Sequence, residues 1–310
     1  MEEFDKYIEY LRDLQKRSGL TIKSYSTNIT RFLEDNNINT LEDLSKLTSA
    51  ICVEDQKRLV KKGLKPDSIN QVKRCMKAFM NYLIDPMELL EKNPWNKVKD
   101  IPKEHDGKSQ AFLSDEEVDM MLNACERVDD KTILRCYLYT GKRNSALRNL
   151  LLEDYDGEHL VFVEKRGKIE RVFVIPELKK YIEEYLQYRL GRWSKDIPSV
   201  DEPGKSYSYL FVSQKGNQFS SEGIREKVKS IAKRAGIDPK RVDEIHPHTL
   251  RHTFCTSAMD VNEDMRITQA LMGHANLGMT SRYSHFSNKV KDNGFSRQKV
   301  YGADKNIDNQ

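Results

Sequence analysis

No apolar run in this sequence approaches the roughly 20 residues that a membrane-spanning helix needs. The opening segment MEEFDKYIEYLRDLQKR is charged and amphipathic, which excludes a secretory signal peptide. Cysteine is scarce and scattered: Cys52, Cys75, Cys125, Cys136 and Cys255 are odd in number and form no Cys-x-x-Cys pair. That argues against a disulfide frame or a cysteine-rich zinc site and for a reducing compartment, the cytoplasm. Neither sign of charge is in large excess, and the net value of +4 hints only weakly at an anionic partner. Internal repeats and low-complexity tracts are absent.

What is present is a chain of 310 residues, long enough for two domains with their own cores. At 38% hydrophobic and 32% charged residues it reads as globular with a polar surface. Residues 1–92 carry only helical periodicity. Phe4, Tyr7, Ile8, Leu11 and Leu14 form one stripe, and Ile22, Tyr25, Ile29 and Phe32 form the next, over 21–36. A third helix is expected over 49–62. A fourth, over 66–83, has Ile69, Val72, Met76, Phe79 and Leu83 facing inward and Asp67 and Ser68 in its first turn. Two prolines, a glycine and few apolar residues then mark 93–111 as a linker.

A second domain is expected from 112 to 287. Ser114 and Glu117 have the spacing of a capping box. Helices are expected over 115–127, 129–140, 143–152, 177–190, 221–235, 249–259 and 263–272. Between them, Val161 and Val163, then Val172 and Val174, alternate with period two around a charged turn holding Lys165, Arg166, Lys168 and Arg171. The fold class is therefore mainly α with one small β-hairpin, an α+β chain. The polar tail, 288–310, has Val290, Phe295, Val300 and Tyr301 as its anchors. Docking on a neighbouring protomer and fraying are both open to it.

Two segments are rich in cations. Lys57, Arg58, Lys61, Lys62, Lys65, Lys73, Arg74 and Lys77 surround the single acid Asp67 at a helix-turn-helix corner, an arrangement that suits a phosphate backbone or, more blandly, a solvated face. Arg225, Lys227, Lys229, Lys233, Arg234, Lys240 and Arg241 form the second. Basic segments in both domains would let the chain clamp a duplex from two sides.

The sequence HPHTLRHTF, residues 246–254, poses a choice between metal and phosphate. His248 and His252 are four apart on a helix opened by Pro247, a spacing zinc sites use, and Cys255 lies near. Against this, Thr249 stands where a metalloprotease motif requires glutamate, and the fixed charge of Arg251 lies beside His248. For phosphate, His248 and Arg251 sit one turn apart near a helix N-terminus, whose partial charge adds to theirs. His252 then reads as a supporting residue, and His246 has no assigned part. No metal and no cofactor are expected.

Taken with YTGKRNSALRNL (139–150) and LMGHANLGMTSRYSHF (271–286), this cluster completes an ordered set. TGKR at 140–143, HPHTLRH at 246–252 and MGH…TSRY at 272–283 resemble the tyrosine recombinase (phage integrase) family. The likeness covers about 112–286, and more weakly the helical N-terminal part, which is similar to the family's core-site DNA-binding domain.

The resemblance implies a metal-free and ATP-free transesterification on double-stranded DNA. Tyr283 would attack a phosphodiester and form a 3′-phosphotyrosine link. Arg143 and Arg251 would hold the non-bridging oxygens, His248 would accept the tyrosine proton or place the phosphate, and His274 would donate to the phosphate. Lys165 would protonate the leaving 5′ oxygen, with Lys168 as the alternative in the same turn. Two strand exchanges through a Holliday junction, in a homotetramer on two DNA sites, would give site-specific recombination in the cytoplasm at the nucleoid. Lys57, Lys61, Lys62, Lys65, Lys73, Arg74 and Lys77 would carry DNA contacts. No separate arm-site module is expected, a layout like that of Xer-type members.

Two positions depart from the family pattern. Ala146 replaces the usual carboxylate three residues after Arg143, with Glu153 or Asp154 as candidate substitutes, and Lys142 adds charge where an apolar residue is usual. Ala146 keeps open a recombinase-derived protein that only binds DNA. A type IB topoisomerase shares the chemistry, and a metal enzyme is the remaining reading.

Overall fold

The computed structural model describes residues 1–102, 112–163, 168–193 and 208–261, together with 271, 295, 296, 299 and 301. The chain divides into two compact units, Met1–Gly107 and Lys108–Gln310. No described helix is long and apolar enough to cross a membrane.

The first unit is helical. Its elements are α1 (Glu2–Glu9), continued by a wide turn at Tyr10–Leu14, then α2 (Gly19–Asp35), α3 (Leu41–Ser45), α4 (Ser49–Lys61) and α5 (Pro66–Ile84). Side chains start three of the helices: Ser18, Thr40 and Thr48 each accept a backbone N–H three residues on, satisfying donors that the helix leaves open. The expected face of α5 is the centre of the core, with Ile69, Val72, Met76, Phe79 and Leu83 all buried. Tyr7, Leu11, Ile29 and Phe32 pack with it. Leu14 departs from its stripe and is 75% exposed, because the wide turn rotates it off the α1 face.

Residues 93–101, expected in the linker, belong to this core. Trp95 is fully buried in a short 3-10 turn, Pro94–Lys97, with its ring edge-on to Phe32 at 5.2 Å. Three buried amides lace the segment down. Asn93 donates to the Lys77 carbonyl (2.9 Å) and accepts from the Trp95 N–H (3.0 Å). Gln56 donates to the Lys99 carbonyl (3.2 Å), and Asn70 exchanges two bonds with Ile101 (2.9 and 2.8 Å). A stretch short of regular structure thus satisfies its backbone through side chains of α4 and α5.

The second unit comprises α6 (Asp115–Asn123), α7 (Val128–Thr140), α8 (Asn144–Arg148), β1 (His159–Val163), β2 (Ile169–Phe173), α9 (Pro176–Trp193), α10 (Ser221–Arg234), α11 (Pro239–Val242) and α12 (Pro247–Val261). Ser114 and Glu117 form the expected reciprocal cap of α6. α7 is buried on every side and packs on α9 and α12, the signature of a central helix. The helix expected over 143–152 is shorter. The chain leaves α8 after Arg148 so that Leu150 and Leu152 can bond the backbone of 208–210 (2.7 and 2.8 Å).

β1 and β2 pair antiparallel, with Phe162 opposite Glu170. Val172 and Val174 are buried; on β1 it is Leu160 and Phe162 that are buried, whereas Val163 is 61% exposed. Lys165 and Arg166 lie outside the described residues, as does the helix expected over 263–272 except Leu271, which is buried.

The tail residues that are described pack on their own chain. Phe295 lies 6.2 Å from Phe254, and Tyr301 stacks on Tyr139 at 6.3 Å and donates its N–H to that hydroxyl. Lys299 pairs with Asp115.

Trp95→Ala should cost about 3–5 kcal/mol, as a large aromatic removed from a closed core. Urea unfolding of the full chain, followed for the first unit, checks this; a loss below about 1 kcal/mol would mean that the 93–101 segment is not part of the core.

Candidate active site

The site begins where α7 stops. Gly141 caps α7 in the left-handed region at φ 59°, and its N–H closes the last turn on the Tyr137 carbonyl (3.0 Å). A side chain is excluded there on two grounds. A non-glycine residue is strained at that φ, and an added Cβ would lie 2.2 Å from the buried ring of Phe254 on α12. The break therefore lets α7 and α12 approach closely. Arg143 follows as the residue preceding α8, half-buried in an extended conformation.

α12 supplies the facing side chains. Pro247 opens it, and His246 caps it: the His246 Nδ1 accepts the Thr249 N–H at 3.3 Å. Thr249 is buried and donates its hydroxyl to the Glu244 carbonyl (2.7 Å). His246, which had no assigned part in the sequence, is thus the start signal of α12. Arg251 is buried and donates from its guanidinium to the Gly141 carbonyl. This bond ties the second arginine to the peptide two residues before the first.

The electrostatics report the same convergence. His248 is exposed, yet its pKa lies below the usual histidine value. Partial removal from water contributes most, followed by the charges of Arg251 and then Arg143. His248 is thus within electrostatic reach of both arginines. His252 is also lowered, first by desolvation, then by His248 and Arg251. Arg143, His248 and Arg251 are therefore brought together, as anion-binding chemistry requires. Lys168 is exposed at the start of the second hairpin strand, and Lys165, His274 and Tyr283 lie outside the described residues.

Lys142 corrects the expectation of added positive charge. It is fully buried and its Nζ lies 2.6 Å from Oε1 of buried Glu170 on β2. Glu153 and Asp154 are the candidate substitutes for the carboxylate missing at Ala146. Glu153 is exposed, and Asp154 accepts the Leu151 N–H locally (2.7 Å). Ala146 itself is packed in the core.

The second basic segment is also corrected. Lys227 pairs with Asp129 (2.9 Å) and Asp130, Arg234 with Asp130 (2.7 Å), Lys229 with Asp243 (2.7 Å), and Arg241 with Glu117 and Glu244 (both 2.9 Å). Most of its charge is spent within the fold, leaving Arg225, Lys233 and Lys240 exposed. In the first unit, Lys57 meets Glu54 (3.2 Å), Lys62 meets Asp35 (3.4 Å), Lys73 meets Asp100 (2.7 Å) and Arg74 donates to Gln71 (2.6 Å). Lys61 and Lys65 are exposed with no carboxylate partner among the described residues, and Lys77 is half-buried. Among the described residues no three histidine, cysteine or acidic side chains form a metal-binding group.

The model of the phage integrase family matches residues 111–289. Tyrosine recombinase XerA of Pyrococcus horikoshii is 30% identical over 295 residues, 93% of this chain and 90% of the relative. Tyrosine recombinase XerC of Bacillus subtilis is 27% identical over 299 residues, 93% of each. A lambda integrase (75–356) dimer bound to a COC′ core site shares the fold with a TM-score of 0.68 at 13% identity, over 90% of this chain and 96% of that one. XerH recombinase bound to palindromic difH substrate gives 0.66 at 19%, over 92% and 81%.

Arg143→Gln should raise the His248 pKa, since one of the two cations that penalise the imidazolium is removed. NMR titration of the histidine ring protons measures it; an unmoved His248 would mean that Arg143 does not face it.

Proposed function

This chain belongs to the phage integrase family, and on that premise we propose that it cuts and rejoins duplex DNA at specific sites through a 3′-phosphotyrosine link. The observation that carries the proposal is the gathering of Arg143, His248 and Arg251 by the α7–α8 break and the start of α12. Two guanidinium groups beside an imidazole suit a phosphodiester under attack, whose transition state adds negative charge on the non-bridging oxygens.

Tyr283 is the nucleophile. Its hydroxyl has an ordinary pKa of about 10 and needs a base to attack at neutral pH. His248, held below the usual histidine range, stays neutral at that pH and takes the proton. The Tyr283 oxygen bonds to phosphorus as the bond to the 5′ oxygen breaks. Lys165, or Lys168 in its place, protonates that leaving oxygen, and His274 donates to the phosphate. A 5′ hydroxyl from a second strand then attacks the phosphotyrosine and releases Tyr283. One ester replaces another at each step, so ATP is not consumed, and the arginines balance the charge that a metal would otherwise meet. Two such exchanges through a Holliday junction, by four protomers on two DNA sites, complete recombination in the cytoplasm at the nucleoid. Residues 1–92, together with the 93–101 segment packed on them, act as the core-site DNA-binding domain, joined to a catalytic domain at 112–287.

A duplex nicked next to the cleavage position loses a short strand on cutting and should trap a covalent protein–DNA adduct. Tyr283→Phe should abolish the adduct; an adduct formed equally by that variant refutes the assignment. Relaxation of supercoils without site preference would instead indicate topoisomerase action, and site-specific binding without any adduct a DNA-binding role alone.

Lys61→Ala and Lys65→Ala should each weaken DNA binding uniformly across sequences and lower the slope of log affinity against log salt by about 1. Fluorescence anisotropy between 50 and 200 mM salt, roughly the range over which counterion release is readily seen, reads both effects. An unchanged slope would remove these lysines from the interface.

A further inference from the structure

Lys142 and Glu170 form an ion pair inside the second unit, with side-chain exposures of 0% and 4%. Such a pair is an unusual filler. Both charges are stripped of water, and apolar side chains of similar size would occupy the space without that cost. Glu170 Oε2 has no hydrogen-bond partner among the described residues, so the carboxylate leans on Lys142 for its balance.

The pair's position says what it does. Lys142 Nζ bonds Glu170 Oε1 at 2.6 Å, donates to the Leu271 carbonyl at 3.3 Å and lies 5.6 Å from the centre of the Phe162 ring. Glu170 lies on β2 opposite Phe162 on β1. One ammonium thus joins the hairpin, the α7–α8 break and the backbone at Leu271. The residue before it, Gly141, is held through its carbonyl by Arg251. The residue after it is Arg143. The Gly141–Lys142 peptide is therefore held from outside the segment through its carbonyl, and Lys142 is held again at its ammonium, so Arg143 leaves the backbone directly after a residue anchored at both ends. Apolar contacts tolerate sliding, whereas an ammonium with two directed oxygen partners does not.

We propose that Lys142 and Glu170 are positioning residues, an ion pair that aims Arg143 at the phosphate and ties the hairpin to the same joint. The proposal rests on the recombinase reading for its consequence in catalysis, and on the free protein for its geometry.

The test uses the full chain with Glu170→Gln and with the double variant Lys142→Met/Glu170→Leu, which removes the pair without changing net charge. Glu170→Gln leaves a buried cation unbalanced and should lower the melting temperature; the double variant should restore it. Cleavage of the nicked duplex at saturating DNA should nevertheless stay about 100-fold slow in the double variant, as expected for a displaced reactive group, with DNA affinity unchanged. The His248 pKa, measured by NMR without DNA, should rise in the double variant because Arg143 has moved away. A double variant that recovers melting temperature, cleavage rate and His248 pKa together would overturn the proposal and leave the pair a space-filler. A wild-type chain that forms no adduct, with a double variant whose His248 pKa rises, would sink the recombinase reading and uphold the positioning of Arg143.

Discussion

The bond from Arg251 to the Gly141 carbonyl is the constraint on which the candidate site depends. It spans 110 positions of sequence and joins the end of α7 to the first turns of α12. Its existence requires the left-handed turn at Gly141, since the Phe254 ring occupies the place of any side chain there. A buried arginine also needs a fixed acceptor, and a helix-terminal carbonyl offers one that the helix does not use. Once that bond forms, Arg143 lies two residues away from its counterpart's anchor, and His248, one turn before Arg251, is within electrostatic reach of both.

Much of this was legible in the sequence because it is local. The reciprocal cap of Ser114 and Glu117, the inward face of α5 and the opening of α12 by Pro247 are set by residues within one or two turns of each other. What escaped was decided by distant partners. Trp95 sits in a stretch whose prolines suggest a linker, and only the amides of Gln56, Asn70 and Asn93 show that its backbone is satisfied inside a core. In β1 both phases of the alternation are apolar, so periodicity could not choose Leu160 and Phe162 over Val161 and Val163.

Charge was the least legible property, for the same reason. The run from Arg225 to Arg241 looks like a nucleic-acid surface until Asp129 and Asp130, about a hundred positions earlier, are found against Lys227 and Arg234. Lys142 looked like surplus charge until Glu170 was found beside it. Counting cations along a chain overstates the field outside it whenever the matching acids arrive through tertiary packing. The corner between α4 and α5 keeps Lys61 and Lys65 exposed without such acids, so it remains the segment to which a phosphate backbone has most to offer.

The central claim is that Arg143, His248 and Arg251 act together on one phosphate attacked by Tyr283. A crystal structure of the chain on its DNA site, with vanadate in place of the scissile phosphate, tests it most directly. Both guanidinium groups and the His248 ring should lie within about 3 Å of vanadate oxygens, with the Tyr283 oxygen bonded to the metal at an apex. Vanadate bound away from these side chains, or bonded to a different residue, would contradict the account.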